Sequence, residues 1–202
     1  MKILAFTDFH SHFPTLKKIT KKAEKADIAI CCGDMTFFGH DLDKVMKFMA
    51  KNIRLPIFFI HGNHEDEKTT IETSKKYNNL IPVHLRLAKV SEYTYIFGFG
   101  GGGFSFTEPL LEKAIKKVGE RLPRNARLIL VTHAPPYNTE IDFLDPERGH
   151  RGCISSRKFI EKLHPALAIS GHFHETFYLK DKIKNTLLVN PGDEGTIIEI
   201  KP

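Results

Sequence analysis

Apolar runs of strand length alternate along the chain with segments whose apolar residues recur every three or four positions. The runs predict buried strands at residues 2–7, 27–32, 56–61, 127–132 and 166–170. Helical patterns between the runs predict helices at residues 14–26, 41–51, 66–77, 108–121 and 155–163, and in 41–51 the apolar residues share one face. This repetition is typical of parallel strands joined by right-handed crossovers.

Two regions depart from the repetition and predict antiparallel strands. Residues 83–90 and 93–98 alternate between apolar and polar side chains, as half-buried strands do. The tail, 176–200, predicts three strands, with turns near 180–182 and at 190–193. Each group of strand–helix units therefore closes with antiparallel strands. We expect an α/β fold in which two mixed β-sheets pack face to face and helices cover both outer faces.

Length and composition place the chain among ordinary globular proteins. Its 202 residues fit a single domain, 1–202, with 41% hydrophobic and 27% charged residues. The apolar runs are shorter than a membrane span, and Asp8 and His10 interrupt the first run before a signal peptide could form. Three cysteines without a framework spacing argue against a secreted disulfide fold. These features predict a cytoplasmic protein with no membrane partner.

The net charge of +6 suits an anionic partner and would speed its arrival. The lysines are spread over the predicted helices, and no basic tract or recognition motif supports nucleic acid as a partner. The charge therefore favours a small anionic substrate over a nucleic acid. A homo-oligomer is left open.

Five of the predicted strands run directly into clusters of Asp, Asn or His. The clusters are Asp8-Phe9-His10, Gly33-Asp34, Gly62-Asn63-His64-Glu65, His133 and Gly171-His172-Phe173-His174. Because the carboxyl ends of parallel strands meet at one edge of a sheet, we expect these side chains to converge. Side-chain alternation along a strand would place Asp8 and His10 on the same side, and likewise His172 and His174.

The clusters contain the ligand types of a metal centre. The candidate metal ligands are Asp8, His10, Asp34, Asn63, His133, His172 and His174. One ion uses three or four protein ligands, so seven suit two divalent ions that share a carboxylate. Carboxylate, imidazole and amide groups favour Mn²⁺, our first choice, or Fe, Zn²⁺ or Ni²⁺. Such a pair, about 3.5–4 Å apart, activates water and clamps the attacking and leaving oxygens of a displacement at phosphorus.

Two neighbours of the ligands are candidates for other roles. His64 lies beside Asn63 with no metal left to bind, so it is a candidate proton donor to the leaving oxygen. Glu65 either orients His64 or caps the helix that follows, since an acid is favourable at a helix N-terminus.

The five clusters, in this order, resemble the signature of the calcineurin-like metallophosphoesterase superfamily. That signature is Asp-x-His, Gly-Asp, Gly-Asn-His-Asp/Glu, a lone His and Gly-His-x-His. The resemblance implies a four-layer α/β/β/α sandwich and a phosphoric ester hydrolase in which a metal-bridging hydroxide makes an in-line attack. It implies one metal held by Asp8, His10 and His174, a second held by Asn63, His133 and His172, and Asp34 as the bridge. It also makes Asp34 and His64 the catalytic residues, His64 as general acid or transition-state stabiliser.

Departures from the signature narrow the subgroup. The stretch from Gly33 to Gly39 lacks the second Asp and the Arg of protein Ser/Thr phosphatases. The chain has no room for the DNA-binding domain of the break-repair nucleases. The chain is similar to small prokaryotic phosphodiesterases in its compact length and in two stretches, Thr132-His133-Ala134-Pro135-Pro136 and Gly149-His150-Arg151-Gly152. The prediction is therefore a dinuclear metal-dependent phosphodiesterase that acts on a small phosphoester or nucleotide substrate. One alternative is a nuclease or nucleic-acid-binding member of the superfamily. The other is a catalytically degenerate scaffold of the same fold.

Two sets of loop residues are weaker candidates. The long loop 134–153 follows His133 directly and is expected to border the site. In it, Arg148 or Arg151 could grip a phosphate and His150 could contact the substrate, or the loop is simply basic and solvated. Exposed loop aromatics could stack a base, but we interpret them as packing under a loop or at a dimer contact. They are Phe37, Phe38, Phe104 and Phe106.

Overall fold

The computed structural model describes residues 1–200 as four stacked layers in the order helix, sheet, sheet, helix. The strands are β1 (Lys2–Phe6), β2 (Ile28–Cys31), β3 (Ile57–Phe59), β4 (Leu80–Pro82), β5 (Leu87–Lys89), β6 (Thr94–Phe99), β7 (Arg127–Thr132), β8 (Leu167–Ile169), β9 (Lys180–Ile183), β10 (Thr186–Val189) and β11 (Thr196–Glu199). The helices are α1 (Phe13–Ala23), α2 (Leu42–Asn52), α3 (Glu67–Ser74), α4 (Pro109–Arg121) and α5 (Ile154–Leu163), with a short 3₁₀ helix at His174–Thr176.

The strands form two mixed sheets, as the sequence predicts. Sheet A has the order β11-β1-β2-β3-β4; β1 to β4 are parallel, and β11 is antiparallel to β1. Sheet B has the order β5-β6-β7-β8-β10-β9; its four inner strands are parallel, and β5 and β9 are antiparallel edges. The predicted α/β/β/α sandwich is confirmed.

Side-chain alternation along the strands explains the layers. In β1, Ile3 and Ala5 face the core between the two sheets, whereas Leu4 and Phe6 face α1 and α2 on the outer side. All four are fully buried. A strand that is buried on both faces must be apolar throughout, which is why β1 reads as a continuous hydrophobic run.

Helices cover the outer faces, and α1, α2 and α4 each bury one apolar stripe, whereas α3 buries only Thr70 and Ser74. In α2, Val45, Met46 and Met49 are buried against sheet A at helical spacing. Helix α1 has Pro14 in its first turn, where the missing N–H has no helical partner to lose. Within residues 1–200, each helix falls short of the length and apolar character that crossing a bilayer requires.

The structure corrects two strand predictions. Residues 180–182, predicted as a turn, lie in β9, and the chain turns instead at Lys184 and Asn185, where Lys184 has a φ of 53°. A two-residue hairpin loop requires this left-handed backbone, and its neighbour Asn is favoured in such turns. The predicted strand 83–90 shrinks to β5, because Leu85 has a φ of 53° and breaks the extended backbone. Strand β4 was not predicted.

Candidate metal centre

The seven predicted metal-ligand candidates lie together where the carboxyl ends of the two sheets meet. Asp8 and His10 follow β1, Asp34 follows β2, Asn63 follows β3, His133 follows β7, and His172 and His174 follow β8. Ligand atoms lie within 4.8 Å of one another in three overlapping groups: Asp8, His10 and His174; His10, Asp34 and His64; and Asp8, Asp34 and His133. The structure thus brings together five separate segments of the chain.

The first ligand group surrounds a buried carboxylate oxygen. Nε2 of His174 lies 3.4 Å from Nε2 of His10 and 3.7 Å from Oδ1 of Asp8. The other carboxylate oxygen of Asp8 accepts hydrogen bonds from the Thr7 hydroxyl and from the His172 backbone N–H. Within residues 1–200, Oδ1 of Asp8 is buried and has no hydrogen-bond partner. A buried carboxylate oxygen requires compensation, and a cation between these three atoms would provide it.

The second ligand group is centred on an amide oxygen. Oδ1 of Asn63 lies 2.8 Å from Nε2 of His133 and 2.9 Å from Nδ1 of His172. Asn63 and His172 are half-buried, and His133 is fully buried. Two imidazole nitrogens and a neutral oxygen therefore face one another, which is a suitable donor set for a divalent transition metal.

Asp34 lies between the two groups. Its Oδ2 atom is 3.5 Å from Nε2 of His133 and 3.9 Å from Nε2 of His64, and its Oδ1 atom accepts a hydrogen bond from the His64 backbone N–H. It also shares a ligand group with His10 of the first group. This position suits a carboxylate that two cations share.

Backbone carbonyls orient two of the imidazoles. Nδ1 of His10 donates to the Thr36 carbonyl at 3.1 Å, and Nδ1 of His133 donates to the Cys32 carbonyl at 2.8 Å. Because a carbonyl can only accept, each ring carries a proton on Nδ1. In the neutral rings the Nε2 lone pairs then point into the centre, as in metal-ligating histidines.

The electrostatics of the centre favour an added positive charge. Burial lowers the pKa of His133, but hydrogen bonding to Asp34 and the charge of Asp8 outweigh it and raise that pKa to about 9. Burial raises the pKa of Asp34, but His133 and His64 outweigh it and lower that pKa to about 2. Burial and the neighbouring His133 lower the pKa of His172 to about 4, which keeps this ring a neutral donor. Two ionised carboxylates therefore stabilise a cation beside His133, either a proton or a metal ion.

Several ligand candidates adopt left-handed backbone conformations. Asp8, His10, Asp34 and His172 have φ values of 49°, 43°, 48° and 72°. Such conformations cost of order 1–3 kcal/mol each and concentrate at functional sites. Asp8 and His10 do lie on the same side, but strand alternation does not place them there. Strand β1 ends at Phe6, and a tight turn beyond it directs both side chains into the centre.

Two glycines permit the close approach of the segments. A Cβ atom at Gly171 would overlap the Thr7 hydroxyl and the Asp8 carboxylate, and one at Gly62 would overlap the Asp34 carboxylate. The glycines in these clusters therefore let a backbone lie directly against a carboxylate of the centre.

His64 points its Nε2 atom toward the centre. Its Nδ1 atom accepts a hydrogen bond from the Phe38 backbone N–H at 3.3 Å, so the neutral ring carries its proton on Nε2. That atom is the one 3.9 Å from Asp34. The Nε2–H of the neutral ring therefore faces Asp34 and the cavity that both residues line.

Glu65 has neither of the two roles considered for it. Its carboxylate accepts hydrogen bonds from the backbone N–H and hydroxyl of Thr36, both at 2.8 Å, and from the Gly62 N–H at 2.9 Å. Helix α3 is capped instead by Asp66, whose side chain accepts from the Thr69 N–H at 2.8 Å. Glu65 is buried and joins the loop after β2 to the loop after β3, which position Asp34 and the Asn63-His64 pair.

We expect Glu65→Ala to lower the free energy of unfolding by about 2–3 kcal/mol, because three donors lose a buried acceptor. Urea denaturation followed by circular dichroism measures the change. Glu72→Ala, at an exposed position on α3, is the matched control and should change stability by less than about 0.5 kcal/mol. Equal effects of the two substitutions would contradict the bridging role.

The loop 134–153 is organised around Asp142. This fully buried carboxylate accepts from the backbone N–H groups of Asn138, Thr139 and Gly152 and from Nδ1 of His150 at 2.8 Å. His150, a predicted substrate contact, is thereby fixed in orientation with its Nε2 atom free of Asp142.

The two arginines of this loop differ in their surroundings. Arg148 donates from Nε to Asp145 at 2.6 Å and from Nη1 to Glu175 at 3.0 Å. Because Glu175 follows His174 directly, this guanidinium lies near the edge of the first ligand group. Arg151 is exposed.

The loop phenylalanines are exposed in the protein chain. Phe37, Phe38, Phe104 and Phe106 are 54%, 66%, 84% and 43% exposed, so the interpretation that a loop covers them is wrong, whereas the alternative of a dimer contact stays a prediction. Phe37 and Phe104 line one cavity, and the other residues lining it are His10, Asp34, Asn63, His64, His172 and His174. Aromatic rings therefore form part of the entrance to the metal centre, and the sequence offered no signal that would separate this position from packing.

Comparison with known proteins agrees with this geometry. A sequence model described as calcineurin-like phosphoesterase matches residues 1–176. An uncharacterized protein of Methanocaldococcus jannaschii is 29% identical over 205 residues, which cover 98% of this chain and 91% of that protein.

Two solved structures show the same fold. A protein of Thermus thermophilus has a TM-score of 0.76 at 16% identity, covering 96% of this chain and 89% of its own. A structure described as a novel archaeal phosphodiesterase has a TM-score of 0.50 at 20% identity, covering 96% of this chain and 84% of its own. The family match extends over most of the chain and includes all the clusters that build the centre. The chain therefore belongs to the calcineurin-like phosphoesterase family.

Proposed function

We propose that the protein is a dinuclear metal-dependent phosphodiesterase. The observation that carries the proposal is the pair of ligand groups on either side of Asp34, one of which contains an orphaned buried oxygen of Asp8. Membership of the phosphoesterase family supplies the reaction class, hydrolysis of a phosphoester.

The residues present fit a pair of divalent cations. Asp8, His10 and His174 would hold one ion, and Asn63, His133 and His172 the other, with Asp34 shared between them. Nitrogen and oxygen donors without a thiolate are consistent with Mn²⁺ as the ion. The bound pair would supply charge that lowers the pKa of a water nucleophile and neutralises the charge that develops on the phosphoryl group.

His64 would donate a proton to the leaving oxygen. Its Nε2–H faces the centre, and the Phe38 N–H fixes the tautomer that makes this possible. Proton transfer of this kind contributes roughly 10²- to 10⁴-fold to hydrolysis rates. We further propose that Arg148 or Arg151 binds a phosphate oxygen of the substrate and that His150 contacts the substrate.

A diester suits the entrance better than a monoester. The residues that line the cavity above the centre include neither Lys nor Arg. A monoester carries a second negative charge near neutral pH, for which this lining supplies no Lys or Arg and to which the ionised carboxylate of Asp34 is unfavourable, so only the bound cations would compensate it. A diester carries one negative charge and presents two organic groups to the entrance.

Metal-reconstituted protein is expected to hydrolyse bis(p-nitrophenyl) phosphate with a kcat/KM about 10-fold or more above that for p-nitrophenyl phosphate. Elemental analysis of the same sample should find about two metal ions per chain. Protein stripped by a chelator is the control and should be inactive until Mn²⁺ is restored. Two bound ions without turnover of any phosphoester would favour the degenerate scaffold instead.

A further inference from the structure

We propose that Phe37, Phe38 and Phe104 form an aromatic clamp that stacks a nucleobase of the substrate, so that the substrate class is a nucleotide diester. This inference rests on the proposed phosphodiesterase function. Large apolar rings left in water beside a polar centre signal a binding surface. The three rings are the most exposed phenylalanines in residues 1–200.

One side of the clamp lies against His64 and His10. The ring of Phe38 lies 4.3 Å from the ring of His64 at 40°, and the ring of Phe37 lies 4.8 Å from that of Phe38. Phe37 also meets His10 edge-on at 6.2 Å. These contacts hold the two rings in place while leaving more than half of each exposed.

The backbone at Phe38 is held in an unfavourable conformation. Its φ of 50° is rare for a bulky residue, and a glycine would be favoured there. The ring does not offset this cost by becoming buried, since it is 66% exposed. Strain without burial is typical of a side chain held for binding.

The other side of the clamp comes from the glycine-rich loop. Gly101, Gly102 and Gly103 have φ values of 73°, 79° and 101°, and a Cβ atom at Gly103 would overlap the ring of His172. The loop can therefore approach the second ligand group closely. It places Phe104 edge-on to His172, with ring centres 5.6 Å apart.

The composition of the entrance favours a planar ring over an acyl chain. Phe37 and Phe104 are the only apolar side chains that line the cavity, and the rest are His, Asp and Asn. An acyl chain requires an aliphatic channel, whereas a nucleobase requires flat faces and tolerates polar edges. The rings lie beside the ligands that would hold the phosphate, so a base joined to that phosphate through its sugar can reach them.

The test compares substrates that differ only in the base. The metal-loaded protein is assayed with adenosine 2′,3′-cyclic phosphate and with the 2′,3′-cyclic phosphate of methyl riboside. We expect kcat/KM to be about 10- to 100-fold higher for the adenosine compound. Phe104→Ala should remove most of that preference, mainly by raising KM for the adenosine compound, so that the kcat/KM values for the two substrates become similar.

Two further variants separate stacking from general apolar contact. Phe104→Leu keeps an apolar side chain without a flat face and should behave like Phe104→Ala. Tyr93→Ala is the matched control, because Tyr93 is also exposed but lies at the start of β6, at the opposite end of sheet B from the centre. It should leave both substrates unaffected.

Binding is measured independently of turnover by titrating the same proteins with AMP and with ribose 5-phosphate in a calorimeter. Tighter binding of AMP that Phe104→Ala weakens by about 10-fold supports the clamp, even if hydrolysis of every phosphodiester fails. Equal affinity for the two ligands, or equal rates for the two cyclic phosphates in an active enzyme, would overturn it. Selective turnover of phospholipid diesters in vesicles would do so as well.

Discussion

Asp34→Asn is expected to reduce phosphodiester hydrolysis by more than about 100-fold. Asp34 is the one carboxylate that lies between the two ligand groups, 3.5 Å from His133 on one side and within a common ligand group with His10 on the other. An amide of the same size keeps the hydrogen bond from the His64 N–H but cannot supply the charge that two cations share. Metal content should therefore fall together with activity.

The measurement combines turnover of bis(p-nitrophenyl) phosphate with elemental analysis and a thermal melt in Mn²⁺. Wild-type protein should gain thermal stability from the metal, about 2.7 kcal/mol at 100 times the dissociation constant, and the variant should gain less. Asp43→Asn, on the exposed side of α2, is the control and should match the wild type in all three readouts. An active Asp34→Asn protein with a full complement of metal would refute the shared-carboxylate centre.

His64→Gln is expected to lower kcat by about 10²- to 10⁴-fold while the metal content stays at the wild-type value. The imidazole of His64 is close enough to His10 and Asp34 to share a group of possible ligands with them, but it is not among the seven residues proposed to hold the two ions. It presents an Nε2–H to the centre, so its loss removes a proton donor and leaves those seven residues in place. The defect should depend on the leaving group. A p-nitrophenolate leaves without help from a proton, whereas an alkoxide does not.

This dependence is tested by the hydrolysis rates of two phosphodiesters that differ only in the leaving group, which is p-nitrophenolate in one and an alkoxide in the other. His40→Gln is the control, because His40 is exposed in the same loop that carries Phe38. His64→Gln should lose more activity on the alkyl ester than on the p-nitrophenyl ester, whereas His40→Gln should match the wild type on both. Equal losses on both esters would assign His64 to positioning rather than to proton donation.

Much of the fold follows from local patterns. The core strands are buried on both faces, so they read as uninterrupted apolar runs, and α1, α2 and α4 carry one apolar stripe each. The errors lie where a backbone conformation is set by its neighbours. Leu85 and Lys184 adopt left-handed conformations that no residue type there requires, so the strand boundaries beside them could not be predicted.

The candidate ligands could be named from the sequence because five apolar runs end in metal-binding residue types. The directions in which these side chains point could not be predicted. Asp8 and His10 point into the centre through a left-handed turn, whereas the sequence suggested strand alternation. The sequence suggested that Glu65 caps a helix or orients His64, but its carboxylate joins two loops, because Thr36, 29 residues earlier in the chain, and the nearby Gly62 both donate hydrogen bonds to it.

The sequence by itself determined the layers, the parallel orientation of the central strands and the residue types at their carboxyl ends, because hydrophobic periodicity and short motifs are local properties. Only the tertiary structure decided which atoms face one another. It buried Oδ1 of Asp8 without a hydrogen-bond partner in the described residues, placed Asp34 between two groups of imidazoles and left Phe104 exposed beside His172. Each of these results depends on distances between segments that are far apart in the chain, and side-chain charge and burial act through those distances.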